Sequence, residues 1–353
     1  MLDGIPLQNL PKTFRDGIYI TRGLGIRYFW IDSLCIVQDD MDDWTREAAK
    51  MADIYGNSYL TLAATGSRNA TEGCLFSRSV QLRRMYDGSA EVLRRQRLQA
   101  TKFHASHNGT PFTVYARNFS GQAHENFTQA GSNTRTLLAP LLSRAWCFQE
   151  RMISQRVVHF HKEEMVWECG TCISCECGFL QTSSDTSASS ESFREQPTKL
   201  QIAQVLQNKR TKLEAFDTWR DIIRLYSSLL LTKESDRFPA LAGLAVRFCS
   251  VLNCGYLAGF LDEDIPRALL WVTTVSPDDV YRASGNESEE VPTWSWASIL
   301  YRRFFRNERP FIGSAYVLQT GGKFNTDHRF RIVAVQGKPD NAYMTGSGVT
   351  LRY

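Results

Sequence analysis

The sequence predicts an α/β fold built on a parallel sheet, and two observations carry that prediction. Between Lys12 and Ala64, short apolar runs alternate with helical stretches. The stretch separating two of those runs is amphipathic at the α-helical period. Strands joined through helices favour a parallel arrangement with right-handed crossovers.

Lys12 to Leu24 places Phe14, Ile18 and Leu24 along one helical face, and Gly25 follows as a stop. Ile26 to Asp32 (IRYFWID) is an apolar, aromatic run and reads as a buried strand. Asp42 or Asp43 is placed to cap the next helix, whose stripe is Trp44, Ala48, Met51 and Tyr55. Tyr59 to Ala64 (YLTLAA) reads as a second buried strand, parallel to Ile26–Asp32 and joined to it over that helix. Thr65 to Arg135 mixes Gly, Ser, Asn and Arg and reads as an insertion of loops and short strands, one at Pro111 to Ala116. Ser143 to Ser154 (SRAWCFQERMIS) reads as a helix with Ser143 as its cap. Arg156 to His161 and Glu164 to Glu168 form a strand pair.

Thr182 to Ser192 (TSSDTSASSES) is polar and of low complexity, so a linker is expected there. The expected organisation is a domain over 1–180, a Ser-rich linker over 181–200 and a helical and β region over 201–353. In that last region Ala203 to Leu231 is mostly helical, with Trp219, Ile222, Ile223 and Tyr226 as its stripe. Arg237 to Val251 is a second helix. Gly255 to Phe260, Ala268 to Val272 and Thr293 to Ser298 are strand candidates, and Phe311 to Tyr353 alternates like β-structure.

Composition excludes whole classes. The 353 residues are 43% apolar and 22% charged, as in globular chains rather than disordered ones. A net charge of +4, from 41 basic and 37 acidic residues, gives no electrostatic case for nucleic acid. Leu241 to Leu261 is the one membrane-like run. Arg247, Asn253, Gly255 and Gly259 break it, so a buried helix followed by a strand is expected and no membrane span. The N-terminus shows no secretory pattern, and the nine cysteines are an odd count. Both suit reduced thiols in the cytoplasm.

Four strings occur in order: LPKTFRDGIYITRGLGIRYFWIDSLCIVQDDMDDWTREAAKMADIYGNSYLTLAAT, GCLFSR, SRAWCFQERMISQRVVHF and WECGTCISCECG. Together they resemble the fungal heterokaryon-incompatibility (HET) domain over about Leu10 to Gly178. TWRDIIRLYSSLLLTKESDRFPALAGLA, YLAGF, ALLW and PTWSWAS are similar to the region that commonly follows it. The resemblance implies a cytosolic effector of nonself recognition that promotes programmed cell death with other proteins of an incompatibility pathway, or by self-association. It also implies a distant likeness to TIR domains, which are flavodoxin-like and in some lineages cleave NAD. NAD is then the candidate substrate. Trp146-Cys147-Phe148-Gln149-Glu150 matches the W-C-x-x-E of TIR enzymes, which makes Glu150 the candidate catalytic carboxylate. HET domains usually begin with a strand resembling A-L-S-Y-x-W-G upstream of the first helix, and MLDGIPLQNLPKTF does not supply it. The expectation is an N-terminally truncated domain with an apolar gap between the flanking strands.

Each site residue also carries a plainer reading. Glu150 is either a carboxylate that stabilises an oxocarbenium-like state, or a structural acid paired with Arg144 or Arg151. Glu47 is a second acid, or a solvated helix residue. Asp32 ends a predicted strand, where open α/β sheets bind ligands, or it braces a loop. Trp30 and Trp146 stack on a nucleotide base, or pack in the core. Cys169, Cys172, Cys175 and Cys177 crowd into nine residues, too tight for two zinc knuckles. They are read as buried or redox-capable thiols, with no metal assigned. The alternative to an effector is a non-catalytic interaction module or an inactive remnant.

Overall fold

The computed structural model describes residues 4–76, 81–83, 94–96, 101–107, 109–116, 127, 138–176, 180–183, 199–273, 280–282, 291–301 and 315–317. Helix α1 (Lys12–Gly23) stops where the sequence places its glycine. Gly25 takes φ +70°. The N–H groups of Gly25 and Ile26 donate to the carbonyls of Arg22 and Thr21, both at 3.0 Å. This turn satisfies the last helical carbonyls, and glycine adopts its left-handed angle without strain.

Residues 26–31 correct the sequence reading. They run extended but join no ladder, and Asp32 opens the one-turn helix α2 (Asp32–Cys35). Composition marks such a run as strand-like, but a strand exists only through a partner backbone. No described strand stands beside this one, so the predicted pairing with Tyr59–Ala64 does not form. Helix α3 (Met41–Asn57) is capped by Asp40 rather than Asp42 or Asp43. Asp40 Oδ1 accepts from the N–H groups of Asp42 and Asp43 at 2.9 and 3.0 Å. Those two acids fill the first turn, where the helix dipole favours them.

Strand β1 (Thr61–Ala63) follows. Two antiparallel hairpins come next, β2 (Gln81–Arg83) with β3 (Arg94–Gln96) and β4 (Thr101–His107) with β5 (Thr110–Ala116). Helix α4 (Ala145–Ile153) has Arg144, not Ser143, at its cap position. It leads into β6 (Arg156–Phe160), β7 (Met165–Cys169), β8 (Cys172–Cys175) and β9 (Gln181–Ser183). The sheet order is β1-β6-β7-β8-β9. Only β1 and β6 are parallel, and the other three pairs are antiparallel. The sheet is therefore mixed, not parallel as expected. Short turns join β6 to β7 and β7 to β8, and short turns allow only antiparallel neighbours. Among the described residues β1 is an edge strand.

Helices α5 (Lys199–Leu206), α6 (Lys212–Tyr226) and α7 (Pro239–Leu252) come after. Then follow β10 (Tyr256–Leu257) paired with β11 (Phe260–Leu261), α8 (Ile265–Ala268), β12 (Trp271–Thr273) paired with β15 (Ala315–Val317), and β13 (Val280–Arg282) paired with β14 (Ile299–Tyr301). Thr293–Ser298 is not a strand: it makes a turn and the 3₁₀ helix Trp296–Ser298, whose Ala297 N–H bonds the Ser295 hydroxyl. One core joins Phe148 and Met152 of α4 to Trp219 and Ile222 of α6, Leu244 and Phe248 of α7, and Trp296. α3 reaches that core through Gly243 of α7, where a Cβ would stand 2.3 Å from the Cβ of Ala52. Residues 184–198 of the Ser-rich stretch, most of the 65–135 insertion and residues 318–353 lie outside the described residues. Among those described, no helix is long and apolar enough to cross a membrane.

Candidate functional site

A cavity of about 670 Å³ lies between α1, the extended segment 26–31, α3, β1 and α4. Gly17 of α1 positions one wall: a Cβ there would meet the Phe29 ring at 2.6 Å, so the glycine lets that ring lie against the helix. Trp30 packs edge-on against Tyr55, with centroids 5.6 Å apart. The aromatic surface around these two anchors remains open. Tyr28 is 80% exposed, Phe29 37%, and Tyr59 beside β1 65%.

Glu150 projects into this cavity from α4, and Asp32 and Tyr55 line it too. The Tyr55 hydroxyl and the Cys147 thiol hydrogen-bond to Glu150. Burial raises the Glu150 carboxyl most, and the nearby Asp32 charge raises it further. The two hydrogen bonds and Arg144 act in the opposite sense, leaving a pKa of about 7. Burial, with Glu150 beside it, also pushes the Tyr55 phenol and the Cys147 thiol well above their ordinary values. The cavity thus holds two acids of which one is poised between its charged and neutral forms at neutral pH. Such a group can give or take a proton.

The expected site residues divide. Glu150, Asp32 and Trp30 share the cavity. Asp32 also braces its own turn, accepting from the Ser33 N–H at 2.7 Å. Trp146 does not line it. Its ring meets Trp44 edge-on at 6.4 Å, and its Nε1–H donates to Asp236 at 3.0 Å. Trp146 and Glu150 are one turn apart, but the first packs against α3 and the 234–237 turn. Glu47 is a surface acid, 2.8 Å from Lys50.

Along the cavity wall, where Arg151 and His159 also border it, lies a buried polar network that sequence reasoning missed. Arg151 grips Glu168 of β7 with two parallel bonds, both 2.7 Å. His159 Nε2 stands 3.2 Å from the same carboxylate, and its Nδ1 2.9 Å from the Thr65 hydroxyl. An ionised carboxylate only accepts, so Nε2 carries the proton and Nδ1 accepts from Thr65. Burial works against the charged form of Glu168, but Arg151 and His159 outweigh it and hold the carboxyl far below its usual range. Burial keeps His159 neutral, its pKa lowered despite Glu168. The Lys199 ammonium donates to the Arg151 carbonyl. A detectable signal existed: His159 and Glu168 alternate with apolar residues on adjacent predicted strands, so both face inward.

The cysteines split by strand parity. Cys169 and Cys172 face each other across the β7–β8 turn with Sγ atoms 3.6 Å apart. Cys175, an odd number of residues on, faces away and accepts from the Leu180 N–H at 3.3 Å. Cys177 lies outside the described residues. Among the described residues no group of three or more His, Cys, Asp or Glu side chains is arranged to hold a metal.

No curated protein and no solved structure matches the chain. Residues 3–150 match the family described as heterokaryon incompatibility protein (HET). The matched span runs from before α1 through Glu150 and includes both acids of the cavity, so this part of the chain is similar to the heterokaryon-incompatibility domain, while Arg151, Val157, His159 and Phe160 of the cavity lining lie beyond the match.

Proposed function

We propose that this chain is a cytoplasmic nonself-recognition effector of fungi that promotes programmed cell death by cleaving NAD in the cavity around Glu150. The observation that carries the reading is the Glu150 carboxyl, partly buried, held near pKa 7 and placed beside Asp32 and Trp30. Cleaving the bond between ribose and nicotinamide builds positive charge on the sugar carbon. The ionised form of Glu150 would stabilise that charge, and nicotinamide would leave as a neutral base. Trp30 and the exposed Tyr28 offer rings for a base to stack on. The W-C-x-x-E string is the support for a TIR-like ancestry. The mixed sheet is a departure from that plan.

The test is nicotinamide release from NAD by the purified chain. Release is expected, and Glu150→Gln should reduce it about 10²–10³-fold, the usual cost of losing transition-state charge stabilisation. Thermal unfolding of the variant should remain cooperative. A parent chain that kills cells but releases no nicotinamide would leave the second reading, a non-catalytic interaction module. That reading draws on the exposed aromatic segment 26–31 and on β1, an edge strand among the described residues, which suit docking to a protein partner or a second copy.

A further inference from the structure

We propose that Cys169 and Cys172 are a peroxide-reactive dithiol that closes to a disulfide across the β7–β8 turn. The proposal is independent of the cavity and of any NAD chemistry.

The geometry comes from the hairpin. Glu168 pairs with Ile173, so the next rung sets Cys169 opposite Cys172 with Gly170 and Thr171 as the turn. Directly opposed cross-strand residues point to the same face, and here the two Sγ atoms stand 3.6 Å apart. A disulfide needs about 2 Å, a distance within reach of a side-chain rotation. Both thiols are partly exposed, and Thr171 at the tip is exposed. The tip is held in place from below, since a Cβ on Gly170 would lie 3.1 Å from Ala203 of α5.

The turn also activates one sulfur over the other. Burial alone would raise the Cys169 thiol. The Thr171 hydroxyl at 3.2 Å, the backbone N–H groups of Thr171 and Cys172 and the Cys172 thiol all favour its thiolate, and together they bring it down to about 7. Lys199 is near enough for its charge to be felt there, and Glu168 lies on the adjoining residue. Cys172 is raised, by burial first and then by Cys169. The pair is thus an attacking thiolate and a resolving thiol.

The balanced chemistry takes hydrogen peroxide as oxidant. The Cys169 thiolate attacks one peroxide oxygen and breaks the O–O bond. Hydroxide leaves and takes up a proton, so Cys169 becomes a sulfenic acid and one water is released. The Cys172 sulfur, losing its proton, then attacks the Cys169 sulfur. The S–O bond breaks, a second water leaves, and the disulfide forms.

The test uses the reduced full chain and one equivalent of hydrogen peroxide, followed by alkylation, digestion and mass mapping. The peptide holding both residues is expected to lose two hydrogens and escape alkylation, while the exposed Cys35 is still alkylated. Before oxidation, Cys169 should alkylate about threefold faster at pH 7 than a thiol of ordinary pKa. That figure sets its larger thiolate fraction against its weaker nucleophilicity. Cys172→Ser should leave a sulfenic acid on Cys169 that dimedone traps, and Cys175→Ser should close the bond as the parent does. Alkylation of both Cys169 and Cys172 after peroxide, or a first-formed bond between other cysteines, overturns the proposal. So does dimedone on Cys35 in place of Cys169.

Discussion

Glu150 and Arg151 are neighbours on α4, but they open into different surroundings. Arg151, which also borders the cavity, turns toward β7 and holds the buried Glu168 with two bonds. Glu150 turns into the cavity, where its hydrogen-bond donors are the neutral Tyr55 and Cys147 and where Asp32 adds a like charge. Two buried carboxyls thus end on opposite sides of their ordinary pKa. Burial raises both, and at Glu168 the forked guanidinium of Arg151, with His159, reverses it. A carboxylate matched to its cation serves the fold. One left poised near neutrality costs stability and is free to meet a ligand.

The strongest way to break this contrast is Arg151→Met. It leaves Glu168 charged and unmatched in the interior, which should cost about 3–5 kcal/mol in a urea melt. A loss below about 1 kcal/mol would mean the pair is exposed to water and the contrast is false.

The pH dependence is the next test, and the two carboxyls predict opposite signs. Glu150 folds with a pKa of about 7, above its unfolded value, so the folded chain holds the extra proton between roughly pH 4.5 and 7. Stability from this group is therefore present at low pH and lost as pH rises through 7, by up to about 3 kcal/mol. Glu150→Gln should flatten that decline and make the chain more stable than the parent at pH 8. Glu168 is lowered, so its contribution is present above its unfolded pKa and lost as pH falls further. His159, also lowered, adds to the loss as pH falls below about 6.5, where the unfolded chain takes up the proton. His159 opposes the Glu150 trend below about pH 6.5, so the reading is the difference between parent and Glu150→Gln, and a difference that does not change between pH 5 and 8 would contradict the environment assigned to Glu150.

Thr65→Val removes the donor to His159 Nδ1 and leaves that nitrogen buried without it, for about 1–2 kcal/mol in the same melt. Trp146→Phe is the smallest change. It removes the bond to Asp236 but keeps the ring against Trp44, so about 1 kcal/mol or less is expected and nicotinamide release should be unaffected. Loss of release in that variant would show that Trp146 reaches the ligand after all.

The helices of the cavity wall were legible because their signals are local. The stop at Gly25, the stripe of α3 and the span of α4 depend on residues within a few turns of each other. Glu150 was singled out through the family motif, Asp32 through a predicted strand end that does not form and Trp30 as a stacking ring, while Tyr55 was seen only as a core position. The cap of α3 was missed by two residues, because four closely spaced acids, Asp39, Asp40, Asp42 and Asp43, satisfy the same pattern and only the chain's entry angle chooses among them.

Composition and period alone determined an α/β chain, its main helices, the β6–β7 pair and the absence of a zinc-knuckle spacing. Tertiary structure alone decided that residues 26–31 stay unpaired, that the sheet is mixed, and that Trp146 leaves the cavity which Glu150 enters. It also decided that Cys172 meets Cys169 while Cys175 turns away. The physical reason is the same in each case. A helix closes its hydrogen bonds within itself, so its sequence suffices, whereas a strand, an ion pair or a thiol pair is completed by a distant residue whose position only the folded chain supplies.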